Sequence, residues 1–281
     1  MASVATHFSA FLFLCPLGIR RLLCSFSLYL KNPSLYRSKP WYFSDPRWKN
    51  FDFFTLLIAL PIASFSHVFF FLAFSGHPTY RFAFLEQSLI IFLFWVLLIL
   101  IIVRENLDPI AVPENFIFIF AGISFLIEFS MNGKGFSGLG GAVYELLGGL
   151  TLVCGACCFY LSIRPSAFFA EFFLSSGLML KGIWVLQIGL SLYTDTFALK
   201  GCNQGKTDVT CELEEDMLRG IALMNLLFTG HVIVVLILSF VLFGLLYCNR
   251  NMRCGEASGP LLAELGSETM LMQSIPEFEM E

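Results

Sequence analysis

The stretch "FLSSGLMLKGIWVLQIGLSLY", Phe173 to Tyr193, decides how the whole chain is read. It is long and apolar enough for a membrane helix, yet it carries Lys181 near its middle and Gln187 two turns on. A bilayer core needs about 20 predominantly apolar residues per helix. An ionisable side chain at that depth is costly unless it faces other helices and is paired. Lys181 therefore reads as an interior residue of a bundle, and the search widens to the other helices that would surround it.

Composition supports that search. Of the 281 residues 57% are hydrophobic, 14% are charged and 33 are Phe, and the mean hydropathy is +0.77. A soluble domain carries about a quarter charged residues, so the chain reads as an all-α integral membrane protein. Seven stretches are long enough to span: about 7–30, 51–74, 82–103, 115–130, 139–163, 167–193 and 219–247. Arg20 and Arg21 interrupt the first and are expected to snorkel to the cytosolic interface. Pro113 is expected in the first turn of the fourth. No basic residue precedes Arg20, so the N-terminus reads as a retained span rather than a cleaved secretory signal. The organisation is one seven-helix domain, 1–248, followed by a tail, 249–281, expected to be disordered and cytosolic.

Orientation follows from the basic residues flanking the spans. Arg81, Lys134, Lys200, Lys206 and Arg219 fall on one side. Arg20, Arg21, Lys31, Arg37, Lys39, Arg47, Lys49, Arg104, Arg164, Arg250 and Arg253 fall on the other. That bias places the N-terminus in the lumen or outside the cell and the C-terminus in the cytosol. The net charge of -4 is segregated rather than uniform, and no basic stripe interleaved with aromatics points to nucleic acid as a partner. The partners implied are the lipid bilayer and, for the tail, cytosolic proteins. Cys202 and Cys211 share a loop on the luminal side, where a disulfide could form, with two unpaired thiols as the alternative. "CGACC", Cys154 to Cys158, has a C-x-x-C spacing but lies inside a span, where small packing residues are the expected reading.

Small residues suggest which helices touch. Gly141, Gly148 and Gly155 recur along the fifth span, and Ser175, Gly182 and Gly189 along the sixth. Such stripes let membrane helices approach closely, so spans five and six are expected to pack on each other. The polar residues His7, His67, Glu86, Glu128, Glu145, Gln187, Asn225 and His231 map to the luminal half of their spans. The expectation is a polar cavity opening to the lumen with Lys181 as its floor. Lys181, Trp184 and Gln187 share a helix face by their three-residue spacing. Glu145 is the first candidate partner for Lys181 and Glu86 the second. The cluster reads either as a structural lock or as a ligand or ion site.

In "LKGIWVLQIGLSLY", Leu180 to Tyr193, the residues Gly182, Trp184, Gln187, Gly189 and Tyr193 form a run that resembles the transmembrane protein 45-like family in its plant-type branch. Gly201–Cys202 and "ALMNLLFTGHVIVV", Ala222 to Val235, are also similar to it. The resemblance implies a seven-span protein of secretory-pathway or plasma membranes without an established biochemical activity. Family members tend to be rich in histidine, whereas this chain has four, and Lys181 stands where the family tends to have Gln.

Three function classes remain. A non-catalytic scaffold, trafficking or stress-response component needs only the bundle and its tail. A carrier or channel would use the luminal cavity. A metal or haem enzyme would need His67 and His231 as a pair, yet their inferred depths differ by roughly 6 Å. No H-E-x-x-H, P-loop or G-x-S-x-G in a strand–helix setting is present. The reading leans against an enzyme and expects no catalytic residue, metal or cofactor.

Overall fold

The computed structural model describes residues 4–43, 50–73, 78–106, 112–132, 138–194, 202–204, 209–211 and 213–257. The helices are α1 (Val4–Lys31), α2 (Phe51–Ala73), α3 (Pro78–Asn106), α4 (Glu114–Met131), α5 (Gly138–Ile163), α6 (Phe168–Tyr193) and α7 (Glu214–Ala257). All seven are long and apolar enough to cross a membrane by length and composition, one for each of the seven stretches read from the sequence. Two short strands, β1 (Cys202–Gln204) and β2 (Val209–Cys211), pair antiparallel between α6 and α7. Pro113 caps α4 from outside rather than opening its first turn: its extended ψ of 147° places it before the helix. The expected tail is helical as far as Ala257, and 258–281 lie outside the described residues. The chain divides into Met1–Ile237, which holds the core described below, and Leu238–Glu281.

Within the first unit α6 is the central helix. Of its most apolar stretch 72% is buried, against 11% for α2. One apolar cluster joins α4, α5 and α6 through Phe118, Phe125, Cys154, Cys158, Leu174 and Leu178. A second joins α5, α6 and α7 through Val143, Leu147, Trp184, Ile188 and Met224. Cys154 and Cys158 are thus packing residues, as the apolar setting of "CGACC" implied.

Spans five and six do pack on each other, as expected, but most of the stripe glycines seat other helices. A Cβ on Gly182 would stand 2.8 Å from the backbone N of Cys15, and one on Gly18 would stand 2.5 Å from that of Met179. One on Gly189 would meet the His7 Cβ at 2.6 Å. The α6 stripe therefore seats α1, running antiparallel to it. The α5 stripe seats α4 instead: a Cβ on Gly155 would lie 3.3 Å from the Phe125 Cβ, and one on Gly148 would lie 3.4 Å from the Phe129 ring. Each stripe has a partner of its own because a helix surrounded by several others can present different faces to each, and sequence order does not choose among them. Where α5 and α6 do meet, Gly177 makes room for the Cys154 thiol.

The hairpin of α2 and α3 is joined differently. Ser64 Oγ donates to the Ser88 carbonyl at 3.0 Å, and Ser88 Oγ donates back to the Ser64 carbonyl at 2.9 Å. Trp95 Nε1 donates to the Leu57 carbonyl at 3.1 Å. In an apolar medium such hydrogen bonds hold helices together where burial of apolar surface offers no drive.

Candidate functional site

Two buried ion pairs converge on α6. Lys181 Nζ lies 2.5 Å from Glu128 Oε2, with the lysine side chain 5% exposed, and over the Phe125 ring at 5.1 Å from its centroid. The level agrees: Glu128 and Lys181 each stand about 20 Å from the start of their helices at a rise of 1.5 Å per residue. The partner is therefore Glu128, not Glu145 or Glu86. Glu145 lies on the exposed face of α5, away from the Val143, Leu147 and Leu150 face that packs inward. Glu86 is likewise exposed on α3. Glu128 continues the buried row of Phe118, Gly122 and Phe125 on α4, a three- and four-residue spacing that was available as a signal in the sequence.

The other expected members of the cluster are dispersed. Trp184 is fully buried and donates Nε1 to the Val143 carbonyl at 3.3 Å. Gln187, also buried, donates to Ser191 Oγ at 2.9 Å on its own helix. His231 sits beside the Trp184 ring, with centroids 6.1 Å apart, and bonds the Leu227 carbonyl through Nδ1 at 2.7 Å. His67 lies among the rings of Phe70 and Phe84 at the α2–α3 hairpin, away from His231. Asn225 is exposed on α7. Hence Trp184 and His231 are drawn together and Lys181 turns to Glu128 on α4, while Glu145, Glu86, His67 and Asn225 join neither. Helix rotation about its own axis separates them: residues at one depth on different helices meet only when their faces are turned toward each other.

The second pair joins the first turn of α6 to α1. Arg21 Nε stands 2.6 Å from Glu171 Oε1, and Nη2 donates to Oε2 at 2.8 Å. Glu171 is 0% exposed. Its remaining acceptor positions are taken by Ser38 Oγ and by Ser175 Oγ, the latter at 3.3 Å. The other Arg21 donors reach the carbonyls of Pro40 at 2.9 Å and Lys39 at 3.0 Å. A buried ion pair is costly unless its other hydrogen-bonding positions are met. Here Nη1 and Nη2 donate, while Nε faces the carboxylate at ion-pair distance only. Arg21 thus does not snorkel to water as expected. It turns inward because Glu171 and the folded-back residues 36–43 surround it.

Further charges gather at the same end of the bundle. Arg20 pairs with Asp52, and its Nη2 also donates to the Tyr42 carbonyl and to Asn50 Oδ1, both at 2.8 Å. Glu114 accepts from Arg104 at 2.6 Å and forms an ion pair with Arg37 at 2.9 Å. Asp52, Glu114 and Glu171 each lie in the first turn of a helix and Arg104 in the last turn of one. Each charge thereby opposes the partial charge of its own helix end. Between the spans, burial first and the nearby Glu171 charge second push the phenols of Tyr36 and Tyr42 well above the usual tyrosine range. None of this end network was read from the sequence, because its partners are far apart in the chain: Arg21 and Glu171 are separated by 150 positions.

Cys202 and Cys211 occupy directly opposed register positions of β1 and β2; their side chains lie outside the described residues.

Residues 114–244, from α4 into α7, match a family of unknown function (DUF716), which corresponds to the transmembrane protein 45-like proteins. No curated protein matches the chain.

Proposed function

We propose that this multi-pass membrane protein is a non-catalytic scaffold, trafficking or stress-response component of the plant-type transmembrane protein 45-like branch. It resides in a secretory-pathway or plasma membrane, with its N-terminus luminal or extracellular and its C-terminus cytosolic. One observation carries the reading: buried charged side chains are committed to helix–helix pairs, Lys181 to Glu128 and Arg21 to Glu171. His67 and His231, which a metal or haem would require together, keep separate neighbours. The orientation rests on the excess of Lys and Arg flanking one side of the spans.

The test is native mass spectrometry with an absorbance spectrum and metal analysis on protein purified in mild detergent. The expected result is the mass of the polypeptide with lipid adducts and absorbance from aromatic residues alone. A stoichiometric haem or metal would overturn the reading. A carrier is the second reading, favoured by the position of the Lys181–Glu128 pair midway along α6. It expects solute or proton flux in proteoliposomes that Glu128→Gln abolishes.

A further inference from the structure

Where the chain leaves α1 and turns back over the end of the bundle, Leu28, Lys31, Leu35, Tyr36, Arg37 and Lys39 border an open cleft of about 300 Å³. It lies level with the α5–α6 turn: the Tyr29 and Phe168 rings stack at 4.0 Å between centroids, and the Ser38 N–H donates to the Pro165 carbonyl at 2.7 Å. Its cationic wall is Lys31, Arg37 and Lys39, all exposed, and among the described residues its lining holds no carboxylate. Glu114, the nearest acid identified by contact, is already shared between Arg37 and Arg104. The other wall is apolar: Leu35 is 77% exposed at the tip of the Pro33–Leu35 turn, with Leu28 beside it on α1.

A cationic wall facing exposed leucines at the end of a membrane helix matches the two halves of one molecule. We propose that this cleft binds an anionic glycerophospholipid. Its phosphate sits among Lys31, Arg37 and Lys39, and the start of its acyl chains lies along Leu28 and Leu35. Basic residues at a membrane surface attract anionic headgroups, and planar arginine beside flexible lysines can hold a phosphate through several charge-assisted hydrogen bonds. The leucines favour a lipid over free phosphate, which would leave them facing water. The platform is rigid because Tyr36 and Ser38, which alternate with Arg37 and Lys39, are buried beneath it.

The test uses the full-length protein in nanodiscs of phosphatidylcholine doped with phosphatidic acid or phosphatidylserine, with retained lipid read by native mass spectrometry. Retention of anionic over zwitterionic lipid is expected, and Lys31→Glu with Lys39→Glu should lower it by roughly tenfold or more, each lysine contributing at the scale of surface charges near anionic lipid. Arg37 is left in place to preserve its bond to Glu114. Should the charge reversal fail to fold, Lys31→Gln with Lys39→Gln carries the same expectation with a smaller drop. Equal retention of zwitterionic and anionic lipid, or anionic retention unchanged in folded variants, would overturn the proposal. Saturable capture of inorganic phosphate without any anionic-lipid preference would overturn it too, assigning the basic wall to a soluble anion.

Discussion

The Glu171 carboxylate meets the Arg21 guanidinium edge to edge, with Nε 2.6 Å from one oxygen and Nη2 2.8 Å from the other. The acid comes from the first turn of α6 and the base from the interior of α1. Removing one partner leaves the other buried and unpaired, at a cost of about 3–5 kcal/mol, whereas replacing both by apolar residues is often close to neutral. Glu171→Gln and Arg21→Met should each lower the detergent-solubilised unfolding temperature sharply. Arg21→Met with Glu171→Leu should recover most of the loss. Thermal unfolding followed by size-exclusion chromatography reads the difference, and a double variant as unstable as the sum of the singles would refute a direct coupling.

Lys181 and Glu128 repeat the experiment deeper in the bundle, with a partner that is slightly more open. Here Glu128→Gln alone strands the lysine over the Phe125 ring. Lys181→Met with Glu128→Leu is expected to fold at least as well as either single variant. Substituting Glu145 by Gln is the matching control and should change stability by less than about 0.5 kcal/mol, as for an outward-facing position.

The glycines of the α1–α6 seam offer a steric test. Gly182→Val places a branched side chain where backbone already lies 2.8 Å from the Cβ position, and overpacking of this kind costs about 1–3 kcal/mol or more. Gly149→Ala on α5, with nothing within 4 Å of its Cβ position, should behave like the parent. Unfolding temperatures of the two variants side by side would settle the point, and equal behaviour would mean the seam can open without loss.

Opposed register across an antiparallel pair puts Cα atoms about 4.5–5.5 Å apart, inside the range that a disulfide spans. For Cys202 and Cys211 this is the register seen. Alkylation of protein made through an oxidising compartment should leave both thiols unlabelled until reductant is added. Full labelling without reductant would exclude the bond.

The phenols of Tyr36 and Tyr42 give a pH signature. Both are held neutral by burial, with folded values raised above the ordinary value near 10. Their stabilisation is fully present below that value and declines as pH rises from there toward the folded values. Stability should therefore fall above about pH 10, and Tyr42→Phe should reduce that slope. Phenolate absorbance during alkaline titration checks it: an ionisation near pH 10 of every tyrosine in folded protein would contradict the burial.

The spans were legible because about 20 apolar residues in a row leave few alternatives, and Lys181 announced a buried partner for the same reason. Which carboxylate answers it was not legible from depth alone. Glu145 and Glu128 both reach the relevant half of the bundle, and only the rotation of α4 and α5 about their axes turns one inward and the other out. The periodic row of Phe118, Gly122, Phe125 and Glu128 carried that information, but the glycine-rich α5 drew attention to the wrong neighbour. The end network was harder still. Residues 32–43 look like a basic loop in sequence, and nothing local reveals that Ser38 and the Pro40 carbonyl serve a carboxylate and a guanidinium from two other segments.

The seam between α1 and α6 has a consequence for how the protein is made. Helix α1 carries Arg21 and the Gly18 face, yet both wait for a helix synthesised some 150 positions later. Until then a charged side chain and a bare backbone surface stand without their mates. Arrival of the sixth helix covers both at once and draws the chain after α1 onto the bundle through Ser38. A polypeptide that stops before it exposes the very features by which a membrane quality-control system tells an unfinished product from a finished one.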